Sequence, residues 1–283
     1  MLQHPLLRNH PDVDSIEWRH LDKETYIEIE NILTDGVKLF DPFLVDEFYP
    51  QDMFDELVSI CTSNDLSKLD YSHQMNKWEQ GVEIPQKFFD YAEKRVRELL
   101  GTEDVIHAYH MYAHHQITSE GRVPKLGLHI DEAPGAYMVD LHIGGNRDWG
   151  FVARYNNFIC KPNQAIICQP QLDYHYRPSW GSDNKEEYYQ AFFIHMINKN
   201  HWTVPSEAKW GTRSKELEEK YEFGQAFRAS ETFKNFNAQR LYIFRGLYVE
   251  ENSKRDLPLI PWAEEPKGED KNIHQRKGVK PAI

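Results

Sequence analysis

The sequence predicts a mainly β protein, an antiparallel sandwich or small barrel with helices at its flanks, and three observations carry that reading. Between Asp104 and Ile197 the text breaks into seven or eight short apolar segments, with turn signals about every eight to twelve residues, the spacing of all-β folds. Aromatic residues make up 13% of the chain, which suits flat β packing surfaces. Two segments before Asp104 have apolar residues at helical spacing instead.

Taken in order, residues 1–36 are polar and read as an N-terminal arm with one short strand at Tyr26–Leu33. Val37–Leu44 alternates and stops at Pro42, as a strand entering a turn does. A helix is expected from Pro50, with Phe54, Leu57, Val58 and Cys61 on one face. A second follows from Ile84 to Leu100, with Phe88, Tyr91, Ala92, Val96, Leu99 and Leu100 on a stripe and Gly101 beyond its end. The polar stretch between them, Asn64–Gly81, reads as loop. After Gly101 the period becomes two. A strand carrying His107, His110, His114 and His115 should place His107 and His110 on opposite faces, so these imidazoles read as pocket or packing groups rather than a zinc site. Further strands are expected at Leu126–Asp131, Ala136–Ile143, Trp149–Tyr155, Phe158–Cys160, Ala165–Cys168, around His175 and at Glu187–Ile197, with a turn at Pro134-Gly135. Residues 198–251 return to helix-like text around Ser214–Tyr221, while Gln239–Val249 fits either strand or helix. Residues 252–283 read as a flexible polar tail.

Composition excludes several classes. Lys plus Arg number 33 against 45 Asp plus Glu, a net charge of −12, which disfavours nucleic acid or an anionic membrane as partner and favours a cationic or zwitterionic small molecule. No apolar run approaches the roughly 18 residues of a membrane span, and no charged-then-apolar leader is seen. Three cysteines, Cys61, Cys160 and Cys168, without a Cys-x-x-Cys pair, suggest neither a disulfide framework nor a thiolate zinc site. A cytoplasmic location is expected.

One stretch reads as chemistry. His129 and Asp131 are two apart in a strand, so they project to one side while Leu126, Leu128 and Ile130 project to the other. His175 follows 46 residues later, where a returning strand can bring it beside them. The tripeptide His-x-Asp alone means little: it occurs three times, at His10, His20 and His129, where chance supplies roughly one. The first two lie in polar text and read as solvated loop. Two imidazoles and one carboxylate on one face of an ion, with the opposite positions open, form the ligand set of non-haem Fe(II) oxygenases. His195 reads as a core or sheet-face histidine, and Trp149, Trp180 and Trp202 as packing or as a substrate wall.

Helices ahead of a strand set, then Gly-Leu-His-Ile-Asp, Leu-His-Ile-Gly-Gly-Asn-Arg-Asp-Trp, Cys-Lys-Pro-Asn-Gln-Ala-Ile-Ile-Cys and Tyr-His-Tyr-Arg-Pro, together resemble the Fe(II)/2-oxoglutarate-dependent dioxygenases, their prolyl 4-hydroxylase-like branch in particular. The resemblance covers residues 37–197. It implies a double-stranded β-helix, a jelly-roll or cupin-like barrel, with Fe(II) held by His129, Asp131 and His175. It further implies 2-oxoglutarate and O₂ as cosubstrates, and a basic residue for the distal carboxylate. Lys185, ten after His175, and Arg177, two after it, are the candidates, with His142 as an added donor. Gly181 is displaced from the family's position by Asp183-Asn184, so the loop leaves both bases open.

The organisation expected is therefore an arm over 1–36, an oxygenase domain over 37–197, a helical extension over 198–251 and a tail over 252–283. The extension is a candidate contact between copies of the chain. The expected activity is hydroxylation of an unactivated C–H bond of a small molecule or amino-acid-like substrate, with succinate and CO₂ as co-products. The alternatives are the same chemistry on a prolyl-type side chain of a peptide or protein, and a cupin-like barrel that binds a metal or ligand without turnover.

Overall fold

The computed structural model describes residues 6–9, 13–63, 69–72, 77–80, 82–131, 136–198, 226–227, 229–261 and 275–276. His10-x-Asp12, the turn at Pro134-Gly135, Trp202 and the helix expected around Ser214–Tyr221 lie outside them.

The first element corrects the arm. Lys23–Thr34 is a helix, α1, not a strand. Asp22 caps it, accepting the backbone N–H of Thr25 at 2.9 Å and its hydroxyl at 2.9 Å. Tyr26, Ile29 and Leu33 form its buried stripe. Burying such side chains is worth about 1.5–3 kcal/mol each, so the stripe outweighs the cap. Asp22→Ala is accordingly expected to cost only about 1 kcal/mol, read as a small drop in urea midpoint. His20-x-Asp22 is thereby a helix start, not a ligand pair.

Strand β1 (Phe43–Val45) begins after Pro42 rather than ending at it. Helices α2 (Gln51–Thr62) and α3 (Gln86–Leu100) appear as expected, the second closed by Gly101 in the left-handed conformation at φ 62°. The stretch read as loop between them contributes two short strands, β2 (Asp70–Ser72) and β3 (Lys77–Gln80). Their alternation is too brief to register as a period.

Then come β4 (Val105–Gln116), β5 (Leu126–His129), β6 (Tyr137–Gly145), β7 (Phe151–Ala153), β8 (Asn156–Phe158), β9 (Ala165–Cys168), β10 (His175–Arg177) and β11 (Tyr188–Asn198). These pair as nested hairpins: β4 with β11, β5 with β10, β6 with β9, β7 with β8, all antiparallel. Nesting of that kind, distributed over two sheets, is the double-stranded β-helix. The larger sheet runs β1-β9-β6-β11-β4-β3-β2-β12, where β12 is Gln275–Arg276 from the segment expected as tail, and the smaller runs β5-β10-β7-β8.

Packing explains the apolar runs. The outer face of the larger sheet buries Val139, Leu141, Ile167 and Phe192 against Phe54, Leu57, Phe88 and Val96 of α2 and α3. Its inner face meets the smaller sheet through Ala113, Met138, Ile166, Ala191 and Phe193 with Phe151 and Ala153. Both faces are covered, so Ala165–Cys168 is apolar throughout. The outer face of the smaller sheet, Leu128, Val152, Tyr174 and Tyr176, packs on α1 and on α4 (Glu231–Lys254), through Tyr26, Phe236 and Phe244. Gln239–Val249 is thus helical, and α4 covers the outside of the smaller sheet. No described helix is long and apolar enough to cross a membrane.

Candidate metal centre

His129 and His175 are direct cross-strand partners on β5 and β10, with ring centroids 4.2 Å apart. Alternation sets their direction. Leu128 turns outward into the α1/α4 cluster, so the neighbouring His129 turns inward. Asp131 lies two residues past His129, beyond the end of β5, and its backbone N–H donates to Pro170 O at 2.9 Å. The three side chains meet as the spacing suggested, their donor atoms all within 4.8 Å of one another.

Each imidazole is oriented by the carbonyl two residues before it. His129 Nδ1–H donates to Gly127 O at 2.7 Å and His175 Nδ1–H to Asp173 O at 2.9 Å. That assignment leaves each Nε2 lone pair aimed at Asp131, whose Oδ1 lies 3.3 Å from one and 3.6 Å from the other. Carbonyl-oriented imidazoles with their other nitrogen free are what metal-ligating histidines show. Without an ion, hydrogen bonds and charge from His129 and His175, present when their Nε2 atoms carry protons, outweigh burial and hold the Asp131 carboxyl well below the usual carboxylate range; a divalent ion would replace those protons. An ionised carboxylate and two unprotonated nitrogens facing inward fit a divalent ion. Among the described residues, no other group of three or more metal-binding side chains converges in this way.

No family model matches the chain, and no curated protein matches it in sequence. Among solved structures it is similar to a prolyl hydroxylase of Trichoplax adhaerens in complex with a hypoxia inducible factor peptide, at 10% identity, covering 63% of this chain and 93% of that one, TM-score 0.42. It is also similar to a 2OG-Fe(II) oxygenase family oxidoreductase of Burkholderia pseudomallei, at 9% identity over 66% and 96% of the two chains, TM-score 0.44. A third is HygX of Streptomyces hygroscopicus with nickel, 2-oxoglutarate and hygromycin B bound, at 8% identity over 70% and 94%, TM-score 0.42.

Behind the triad stands a charged support that sequence reading missed. Asp173, fully buried, accepts Gln169 N–H at 2.7 Å and Arg154 Nε–H at 2.5 Å, while its own carbonyl orients His175. Arg154 sits in the β7–β8 turn and also reaches Asp41 and the Phe40 carbonyl. The second histidine is therefore tied to the entry segment before β1.

Arg177, two residues along β10 from His175, shares its inward face and is 1% exposed. It donates to Asp140 Oδ2 at 2.5 Å, Trp149 O at 3.2 Å and Tyr189 Oη at 3.4 Å. Its Nε and Asp140 Oδ1 are buried with no hydrogen-bond partner among the described residues. Lys185, its rival, is exposed in the connection between β10 and β11, where its backbone carbonyl accepts from Gln116 Nε2 at 2.9 Å. His142 is inside, but its nitrogens lie 2.8 Å and 2.9 Å from the carbonyls of Cys160 and Gly144. It stacks on Tyr189 at 4.4 Å, so it meets Arg177 through that ring.

The other histidines divide. His107 and His110 share a face, contrary to the strand parity, because Ala108 bulges where β11 pairs Tyr109 and then His107 with successive residues. Their nitrogens are 3.3 Å apart, and both rings pack on Phe89 of α3. His195 lies on the inner wall of the barrel. Trp149 and Trp180 pack together in the inner core with centroids at 5.0 Å.

Proposed function

We propose that this chain is a non-haem Fe(II)/2-oxoglutarate-dependent oxygenase that hydroxylates a C–H bond of a small molecule or amino-acid-like substrate. The supporting observation is the convergence of two carbonyl-oriented imidazoles with an ionised carboxylate on the inside of a double-stranded β-helix. His129, Asp131 and His175 would hold the iron from one side and leave the remaining positions to 2-oxoglutarate and O₂. Iron so held supplies the O₂ activation that couples decarboxylation of 2-oxoglutarate, to succinate and CO₂, with oxygen insertion into a C–H bond.

The chain's own residues supply the rest. Gly127 and Asp173 carbonyls keep both rings in the metal-binding tautomer. Arg177 is assigned the distal carboxylate of 2-oxoglutarate, because it is a buried guanidinium on the metal strand whose Nε has no partner among the described residues. A buried donor left unmade costs about 1–3 kcal/mol, which an incoming carboxylate would recover. Asp140 and Tyr189 set the guanidinium's plane from the other side. The three cysteines are buried and form no disulfide among the described residues, which suits the reducing cytoplasm.

The test is spectroscopic. Anaerobic Fe(II) and 2-oxoglutarate should together give a weak visible charge-transfer band, absent from His129→Ala. No band in the unaltered protein would favour a barrel that binds ligands without turnover. Consumption of 2-oxoglutarate stimulated by peptides but not by free amino acids would move the substrate to the peptidyl class.

A further inference from the structure

One short turn serves two of the three ligands. The Gln169–Asp173 connection between β9 and β10 offers its Pro170 carbonyl to the Asp131 backbone N–H at 2.9 Å and its Asp173 carbonyl to His175 Nδ1–H at 2.9 Å. Asp131 follows β5 and His175 lies on β10, so the spacing of two carbonyls in one turn helps to set the distance between them. Within the turn the Leu172 and Asp173 N–H groups donate to Gln169 O at 2.8 Å and 2.6 Å. Those bonds fix its shape but not its place.

Its place is set from two sides. On one side Arg154 holds the Asp173 carboxylate, and the Gln169 amide grips the segment before β1, accepting Phe40 N–H at 3.1 Å and donating to Lys38 O at 3.0 Å. On the other side stands Arg240 of α4, buried, whose Nη2 donates to Gln171 O at 2.7 Å. Its guanidinium also acts on Tyr174, the residue between Asp173 and His175. The chain after α4 reaches the metal strands as well. Pro258 O accepts the Tyr176 hydroxyl at 2.7 Å, and Pro261 O accepts the Leu128 N–H at 3.0 Å, each next to a ligand in sequence.

We infer that Arg240 is a positioning residue of the metal centre, and that the C-terminal helix carrying it is part of that centre rather than an appendage. The inference rests on reading the triad as a metal site. Without the guanidinium the middle of the turn loses its anchor on the α4 side, and the Pro170 and Asp173 carbonyls lose their fixed spacing. Partners that orient metal ligands are worth roughly 10–100-fold in metal affinity. Arg240 acts one bond further out, so the lower end of that range is expected. Helix α4 does not need Arg240 to stay docked. Its neighbour Gln239 accepts the Arg19 and His20 N–H groups, each at 2.8 Å, and donates to Glu17 O at 2.8 Å, while Phe236 and Phe244 lie in the apolar cluster on the smaller sheet.

That independence supplies the test. The full-length protein is titrated anaerobically with Co(II), followed by its visible absorption, beside Arg240→Met, Arg240→Lys and Gln239→Met. Arg240→Met should bind Co(II) about tenfold more weakly, with a shifted spectrum. Arg240→Lys keeps the charge that acts on Glu30, and so the fold, but lacks the planar fork; its binding should weaken in the same direction. Gln239→Met loosens α4 from residues 17–20 without touching the turn. It should lower the melting temperature yet keep the affinity and spectrum of the unaltered protein. Folded Arg240 variants that bind Co(II) as the unaltered protein does, or Gln239→Met weakening it as much as they do, would overturn the inference and leave Arg240 a packing residue. In metal-free protein the His175 Nδ1 proton, assigned by its absence from His175→Ala, should exchange with water faster in the Arg240 variants. Should the unaltered protein take up no Co(II), the metal reading falls, and that proton alone decides whether Arg240 orients His175.

Discussion

Asp131→Ala should leave a folded barrel that no longer holds Fe(II). The carboxylate is the only anionic member of the triad, and both Nε2 atoms are aimed at it. Removing it takes away the one charge that offsets a divalent cation in a site otherwise made of neutral imidazoles. Loss of a partner that merely orients a ligand costs roughly 10–100-fold in metal affinity, so loss of a ligand should reach at least the upper end of that range. The fold should survive, because Asp131 lies past the end of β5 and its structural bond is made by its backbone N–H to Pro170, which alanine retains. Anaerobic titration with a redox-silent divalent ion, beside a thermal melt, measures both. A variant that binds the ion as the unaltered protein does would exclude Asp131 as a ligand and leave the site a pair of packed histidines.

Why the triad was legible and its surroundings were not has a physical answer. His129 and Asp131 sit in a strand whose alternate residues are apolar, and His175 sits in the strand that pairs with it, so face and proximity both follow from a period of two. Helices α2 and α3 were equally plain, because a proline start, an apolar stripe and, for α3, a closing glycine all agreed. Where one residue breaks the period, the reading breaks too. Ala108 inserts a bulge in β4 and turns His107 and His110 to the same side, which no count of alternation reveals. Helix α1 was mistaken for a strand because Tyr26–Leu33 is rich in isoleucine, whereas its fate is set by the Asp22 cap and by burial against α4. Strands β2 and β3 escaped notice because they are three and four residues long and are held by pairing with each other and, for β3, with the distant β4, which so short a stretch of alternation does not advertise. Asp173 and Arg154 are charged residues in turns, and their burial appears only when the two turns meet.

The same reasoning separates the two bases proposed for the cosubstrate carboxylate. Sequence offset favoured Lys185, and burial favours Arg177. Arg177→Lys is expected to keep a positive charge beside Asp140 and so to keep the fold, yet to weaken 2-oxoglutarate binding about tenfold or more. Lysine lacks the planar fork and the Nε donor that would meet a carboxylate. Arg177→Met is a harsher change. It strands Asp140 as an uncompensated buried carboxylate, for which about 3–5 kcal/mol of stability is the usual loss, and a lower melting temperature should accompany the loss of binding. Lys185→Ala, at an exposed site whose hydrogen bond to Gln116 is made by the backbone carbonyl, should change stability by no more than about 0.5 kcal/mol and leave the 2-oxoglutarate titration of the visible band where it was. If instead Lys185→Ala moves that titration and Arg177→Lys does not, the guanidinium is a core ion pair alone, and the carboxylate is held from the β10–β11 connection.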